Sequence, residues 1–190
     1  MPGACWVALT GIPFARCTSL SSAECSAASP PGRERRTDLP TFLKSVLLNV
    51  PVEGVFAFHE REDALKLLNP PFPPVRVIRK EGGIEPGSRV ELKIGPFPWV
   101  ALHSAYEKNR FFEDQQISGP FAQWTHRHEF ERVGDSTGLT DRSDYRLPGG
   151  PLVNRLLGWA VQLGLRQMFR HRHRITKRFC EKGLHEDHNA

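Results

Sequence analysis

The chain changes its hydrophobic period once, and that change limits the folds open to it. From Val75 to Leu147 apolar side chains recur at every second residue, in segments bounded by Gly and Pro clusters. From Leu152 to about Glu181 the spacing is helical and unbroken. Period two marks half-buried antiparallel strands, as where Val90, Leu92 and Ile94 alternate with Arg89, Glu91 and Lys93. The punctuation delimits strands at Val75–Lys80, Arg89–Ile94, Trp99–Glu107, Phe111–Ser118, Phe121–Val133 and Leu139–Leu147, with Gly134–Gly138 as a hairpin signal. Ahead of them Phe42–Val50 reads as a first strand. Pro51 suits a helix's first turn, and two short helices follow, around Val52–Phe58 and Glu62–Leu68. The prolines of Asn69–Pro74 stop the second.

Strand, two short helices, six strands and one long helix make an α+β arrangement: a curved antiparallel sheet of about seven strands around a long C-terminal helix. A sheet curled in this way is expected to leave a cavity between itself and the helix. Leu152, Leu156, Trp159, Ala160 and Leu163 form the helix's apolar stripe, expected to face the sheet. Met168, Ile175 and Phe179 lie about a third of a turn away, which predicts a bend or a change of neighbours near Gly164. Gly158 and Gly164 are poor helix formers, and close packing on the sheet would account for them.

Residues 41–182 thus form one domain, with tails at 1–40 and 183–190. Ser, Ala, Gly, Pro and Arg dominate Ser19–Arg36, and no periodicity survives there, the pattern of disorder. A cleavable transit peptide and an upstream mis-set start are the other readings of that segment. The formal charge of +5 resides in residues 149–190, with eight Lys/Arg against three acids, so the pI of 9.3 describes the C-terminal segment and not the domain. Cys5, Cys17, Cys25 and Cys180 show no zinc-ribbon or CxxC spacing, and free thiols in a reducing, cytoplasmic setting are expected. No apolar run approaches the ~20 residues of a membrane-spanning helix.

The stretch Trp124-Thr125-His126-Arg127-His128-Glu129-Phe130 carries the chemistry. On a strand, Trp124, His126, His128 and Phe130 share one face. Two imidazoles between aromatics leave three readings open: core histidines satisfied by neighbours, a polar-lined pocket, or a metal site. The pocket draws on other strands, where His103 lies in phase with Trp99, Ala101 and Ala105, and Asp141 with Leu139, Ser143 and Tyr145. A carboxylate beside imidazoles in a dry cavity would hold one of them protonated. The metal reading needs three or four convergent ligands, and only two are evident, so no metal and no cofactor is expected. A His/Asp pair could also act as general base, although no nucleophile motif accompanies it. Acidic residues such as Glu113 and Asp114 on the preceding strand read as solvated.

Several local motifs accompany this order: Phe56-Ala57-Phe58-His59-Glu60-Arg61, Gly119-Pro120-Phe121, Trp124-x-His126-x-His128-x-Phe130, Leu139-Thr140-Asp141, Tyr145-x-Leu147-Pro148 and Phe169-x-x-Arg172-His173. As a set, over residues 42–182, the chain resembles the START-like or SRPBCC superfamily, in its ligand-binding polyketide cyclase/dehydrase-like branch. The resemblance implies a helix-grip fold with a hydrophobic tunnel, without implying one chemistry. It also implies an epimerase-like partner, since some relatives are fused to or encoded beside such proteins.

The expected function is therefore binding of a small hydrophobic or lipid-like ligand between sheet and helix, by His103, Trp124, His126, His128, Asp141 and Tyr145. The alternatives are an aromatase/cyclase-type enzyme using a His/Asp pair, or a quinone or lipid chaperone at a membrane surface. Arg166, Arg170, Arg174, Lys177 and Arg178 would supply a peripheral membrane patch. Cations near a helix C-terminus also simply complement its dipole. Nucleic acid is not expected, because no reading motif or aromatic platform accompanies the basic end.

Overall fold

A computed structural model describes residues 39–186. Its elements run β1 (Thr41–Leu48), α1 (Val52–Glu60), α2 (Ala64–Leu68), β2 (Val75–Glu81), β3 (Arg89–Ile94), β4 (Phe97–Glu107), β5 (Phe111–Ser118), β6 (Gln123–Val133), β7 (Ser136–Arg146) and α3 (Gly150–Glu186). The seven strands form one antiparallel sheet in the order β1-β7-β6-β5-β4-β3-β2. Consecutive strands from β2 to β7 are hairpin neighbours, and β1 returns to pair with β7 at the far edge. This is the α+β arrangement that the change of period requires. The expected tails fall largely outside the described residues, as do Cys5, Cys17 and Cys25, while Cys180 is a free, half-buried thiol.

Two local features set the register. Val133 pairs with Ser136, so the β6–β7 turn is the two residues Gly134 and Asp135, not the five of Gly134–Gly138. Gly134 takes φ 59°, the left-handed value a two-residue hairpin demands. From that turn the pairing fixes His128 opposite Asp141 and Trp124 opposite Tyr145. Two bulges interrupt the β4–β5 pairing, one adding Ile117 to β5 opposite Val100–Ala101 and one adding Ser104 to β4 between His103 and Ala105.

α3 lies against β1, β7, α1 and α2. Its sheet-facing line is Leu165, Phe169, His173 and Thr176, all buried at i, i+4, i+8 and i+11. This overturns the expected stripe: Leu152 (66% exposed), Leu156 (59%), Trp159 (68%) and Leu163 (50%) point outward. The reason is that the inner line is partly polar, so the most apolar face of the helix is not its buried one. The glycines also need no packing explanation. A Cβ at Gly164 would meet nothing, and one at Gly158 would reach only ordinary contact with the Tyr145 hydroxyl. Gly158 instead offers its carbonyl, which accepts from Tyr145 Oη at 3.4 Å.

The buried apolar residues form two clusters. One gathers Leu48, Val52, Val55, Phe56, Phe112, Phe130 and Leu139 at the α1 end. The other gathers Phe42, Trp99, Ala101, Trp124, Tyr145, Leu165 and Phe169 beneath the first half of α3. Between them runs a layer of buried histidines and carboxylates. Among the described residues no helix is long and apolar enough to cross a membrane.

Candidate functional site: a buried imidazole–carboxylate layer

The layer is built by alternation on neighbouring strands. β6 turns Trp124, His126, His128 and Phe130 inward, with Thr125, Arg127 and Glu129 on the other face. β7 turns Leu139, Asp141, Ser143 and Tyr145 to the same side, and β4 adds Trp99, Ala101 and His103. Asp141 is 1% exposed and stands at the centre. Its Oδ1 accepts from His126 Nε2 at 3.0 Å, and its Oδ2 accepts from His173 Nε2 at 2.5 Å. His128 Nδ1 lies 2.7 Å from Oδ1 without the alignment a hydrogen bond needs. On its other side His126 Nδ1 stands 3.3 Å from Asp114 Oδ1. Thus His126 sits between two carboxylates, and Asp141 between imidazoles from β6 and α3.

The electrostatics follow from that order. Burial opposes charge on His126, but the hydrogen bonds and negative charges of Asp114 and Asp141 outweigh it and raise its pKa to about 9. Burial dominates at His128 and lowers its pKa to about 3, against the pull of Asp141. The two rings, 4.2 Å apart, therefore hold opposite protonation states at neutral pH. Asp141 is held well below the usual carboxylate range, burial notwithstanding, by the surrounding imidazoles. His103 and His59 are pushed down, chiefly by burial, and stay neutral. Arg172 contributes a second positive charge against Asp114 and Asp141, its guanidinium lowered by burial and its Nε buried without a partner.

Aromatic rings brace the imidazoles. Phe112 stacks on His128 at 4.3 Å, Phe169 lies 5.0 Å from His126, and His59 sits between Phe130 and His128 at 5.2 and 5.6 Å. Trp99 and Trp124 meet edge to face at 5.3 Å. Beneath α3 these rings fill the interior, where the sequence leads one to expect open space. Two surface depressions, about 750 and 790 Å³, lie elsewhere. One is bordered by Val52, Arg110, Phe111 and Arg127, the other by Leu65, Val75 and Ile78, and neither touches the layer. The concave face is less crowded toward β3 and β4, where Leu92 and Ile94 are only partly buried.

All six ligand-site residues expected from the sequence, His103, Trp124, His126, His128, Asp141 and Tyr145, are buried on this one face. Four further members escape a strand-based reading: Asp114, His59, His173 and Arg172. Asp114 read as solvated, but it faces inward opposite His126 in the β5–β6 register. His173 escapes because the buried face of α3 is not its most apolar one. Arg166, Arg170, Arg174, Lys177 and Arg178 are all exposed on α3, away from the layer. His126, His128 and Asp141 bring three potential ligand atoms within 4.8 Å of one another. That is one ligand more than the sequence makes evident, and with His126 held protonated between Asp114 and Asp141 the trio forms an ion-pair network.

The sequence matches the family described as polyketide cyclase / dehydrase and lipid transport over residues 48–171. No curated protein sequence matches the chain. Among solved structures it is similar to a START superfamily protein from Mycobacterium smegmatis (19% identity, 75% of this chain and 97% of that one, TM-score 0.52). It is similar to the ZhuI aromatase/cyclase from Streptomyces sp. R1128 (11% identity, 77% and 96%, TM-score 0.60). It also resembles part of the nucleoside-diphosphate sugar epimerase from Corynebacterium glutamicum (24% identity, 72% of this chain but 28% of that one, TM-score 0.57). At these identities the structural likeness is one of fold, the helix-grip arrangement.

Proposed function

Since the chain belongs to the polyketide cyclase / dehydrase and lipid transport family, we propose that it holds a small hydrophobic or lipid-like molecule on the concave face of its sheet, between β3–β4 and α3. The observation that carries this reading is the buried His103 Nδ1, which has no hydrogen-bond partner. An unmet polar atom in an apolar surrounding costs about 1–3 kcal/mol. A ligand whose apolar body lies along Trp99, Leu92 and Ile94, and whose hydroxyl or carbonyl reaches up β4 to His103, would relieve that cost. In the proposed site Trp124 and Tyr145 form the aromatic wall, and His126, His128 and Asp141 form a polar floor beneath the ligand. Ligand pockets have this composition, mostly apolar with a few placed polar groups.

The test is native mass spectrometry of the purified full chain, with titration of the apolar probe 1-anilinonaphthalene-8-sulfonate. A retained small molecule, or saturable probe uptake displaced by cellular lipid extract, is expected. His103→Leu should weaken binding of hydroxyl- or carbonyl-bearing ligands about tenfold, the worth of one hydrogen bond. A chain that purifies empty and takes up no probe rules the site out.

A second reading rests on the opposed protonation of His126 and His128. A charged and a neutral imidazole side by side form a proton donor and acceptor, as cyclisation or dehydration of a polyketone requires. Turnover of a poly-β-ketone thioester that His128→Phe abolishes while binding persists would select this enzyme. Two partners are proposed besides. The likeness to part of an epimerase supports an epimerase-like protein, which co-purification tests. The basic end of α3 supports membrane contact, in keeping with delivery of a lipid or quinone.

A further inference from the structure

The outward line of α3 has a composition that the ligand site does not use. At 100° per residue, Leu152, Leu156, Trp159 and Leu163 fall within about 80° of arc. The same line continues through Arg166, Arg170, Arg174 and Lys177. All eight side chains are exposed, and the line is turned away from buried Leu165, Phe169 and Thr176. The helix therefore presents one continuous seam, about 16 Å of it apolar and about 16 Å cationic. Lys177 is paired with Glu181 at 3.6 Å. Arg166, Arg170 and Arg174 make no ion pair among the described residues.

We propose that this seam docks on an anionic lipid bilayer, with Leu152, Leu156, Trp159 and Leu163 in the acyl–headgroup boundary and Arg166, Arg170 and Arg174 on lipid phosphates. Leucines and an exposed indole prefer that boundary, and cations beside them gain from anionic headgroups. A second copy of the chain fits the seam poorly. Parallel pairing would set arginine against arginine, and antiparallel pairing would set Leu and Trp against arginine. The inference rests on the membrane contact proposed above and deepens it by adding the apolar stripe; it uses none of the ligand-site residues, so docking and ligand binding fail separately.

The experiment is flotation of the full chain with vesicles of phosphatidylcholine alone or of phosphatidylcholine with phosphatidylserine, without added cargo. Binding to the anionic vesicles is expected, falling as salt rises. Brominated lipid should quench fluorescence in the wild type, and Trp159→Phe should remove most of that quenching. Arg166→Gln, Arg170→Gln and Arg174→Gln together should weaken binding roughly a hundredfold. Leu156→Glu should weaken it independently of charge on the arginines. Equal flotation with both vesicle types, no flotation, or binding that salt leaves unchanged would overturn the proposal. So would a concentration-dependent dimer in light scattering that Leu156→Glu dissolves, since a second copy would then own the seam.

Discussion

At the scale of the residue, the unusual commitment is a charged imidazole buried between two carboxylates. Its neighbour His128 is as deeply buried and neutral, and the pair gives stability a pH optimum whose limbs can be assigned. His126 has a raised pKa in the folded state, so its contribution is complete below the unfolded value of about 6.5 and is lost as pH rises toward about 9. His128 has a lowered pKa, so its contribution is present above about 6.5 and is lost as pH falls toward about 3. Asp141 and Asp114, both lowered, add to the loss below about pH 4. Denaturant unfolding across pH should therefore show greatest stability near pH 6–7. His126→Gln should flatten the alkaline limb, and His128→Gln should make the limb between pH 6.5 and 4 shallower, the remainder belonging to His59 and His103. An unfolding profile whose alkaline limb survives His126→Gln would refute this assignment. Asp141→Asn removes the charge and one of the two oxygens that accept from His126 and His173, and its urea midpoint should report a loss of about 3–5 kcal/mol.

At the scale of the element, α3 is the instructive case. Phe169→Ala removes a ring that stacks on Phe42 at 5.5 Å and borders His126, and should cost about 3–5 kcal/mol. Leu156→Ala, on the exposed stripe, should stay within about 0.5 kcal/mol. Equal losses in chemical denaturation would restore the face expected from hydrophobicity. The strands were legible because a two-residue period needs only local information, and Trp124, His126, His128 and Phe130 do share a buried face. The inner face of α3 was not legible, because His173 and Thr176 are buried by partners that the helix does not contain. His173 Nε2 is held by Asp141, 32 residues earlier, and nothing near it in the chain announces that. The pairing of His128 with Asp141 was within reach. Setting the turn at Gly134-Asp135, as left-handed Gly134 favours, counts the two residues into register.

At the scale of the whole molecule, a polar layer divides the core into two apolar clusters that share one sheet. The order of elements was enough to specify an antiparallel sheet of about seven strands and a helix across it, while the return of β1 to β7 was not legible. What fills the interior was not legible, since ring contacts such as Phe112 on His128 depend on the curvature that the bulges in β4 and β5 impose. If the β3–β4 end takes a ligand, ligand at a hundredfold its Kd should raise unfolding free energy by about 2.7 kcal/mol. Thermal unfolding with and without the ligand found by mass spectrometry reads this directly, and an unshifted midpoint would deny binding to the folded state.

The pairing of β1 with β7 sets a schedule for making the protein. Thr41 meets Asp144 across 103 residues of chain, so the first strand to emerge in synthesis waits for the last one. At about 5–20 residues per second that wait lasts roughly 5–20 seconds. During it Phe42, Leu43, Val46, Leu47 and Leu48 stand on an unpaired edge. Contacts so distant along the chain slow folding, and β1 is the segment through which a nascent chain would be captured by a chaperone or lost to aggregation.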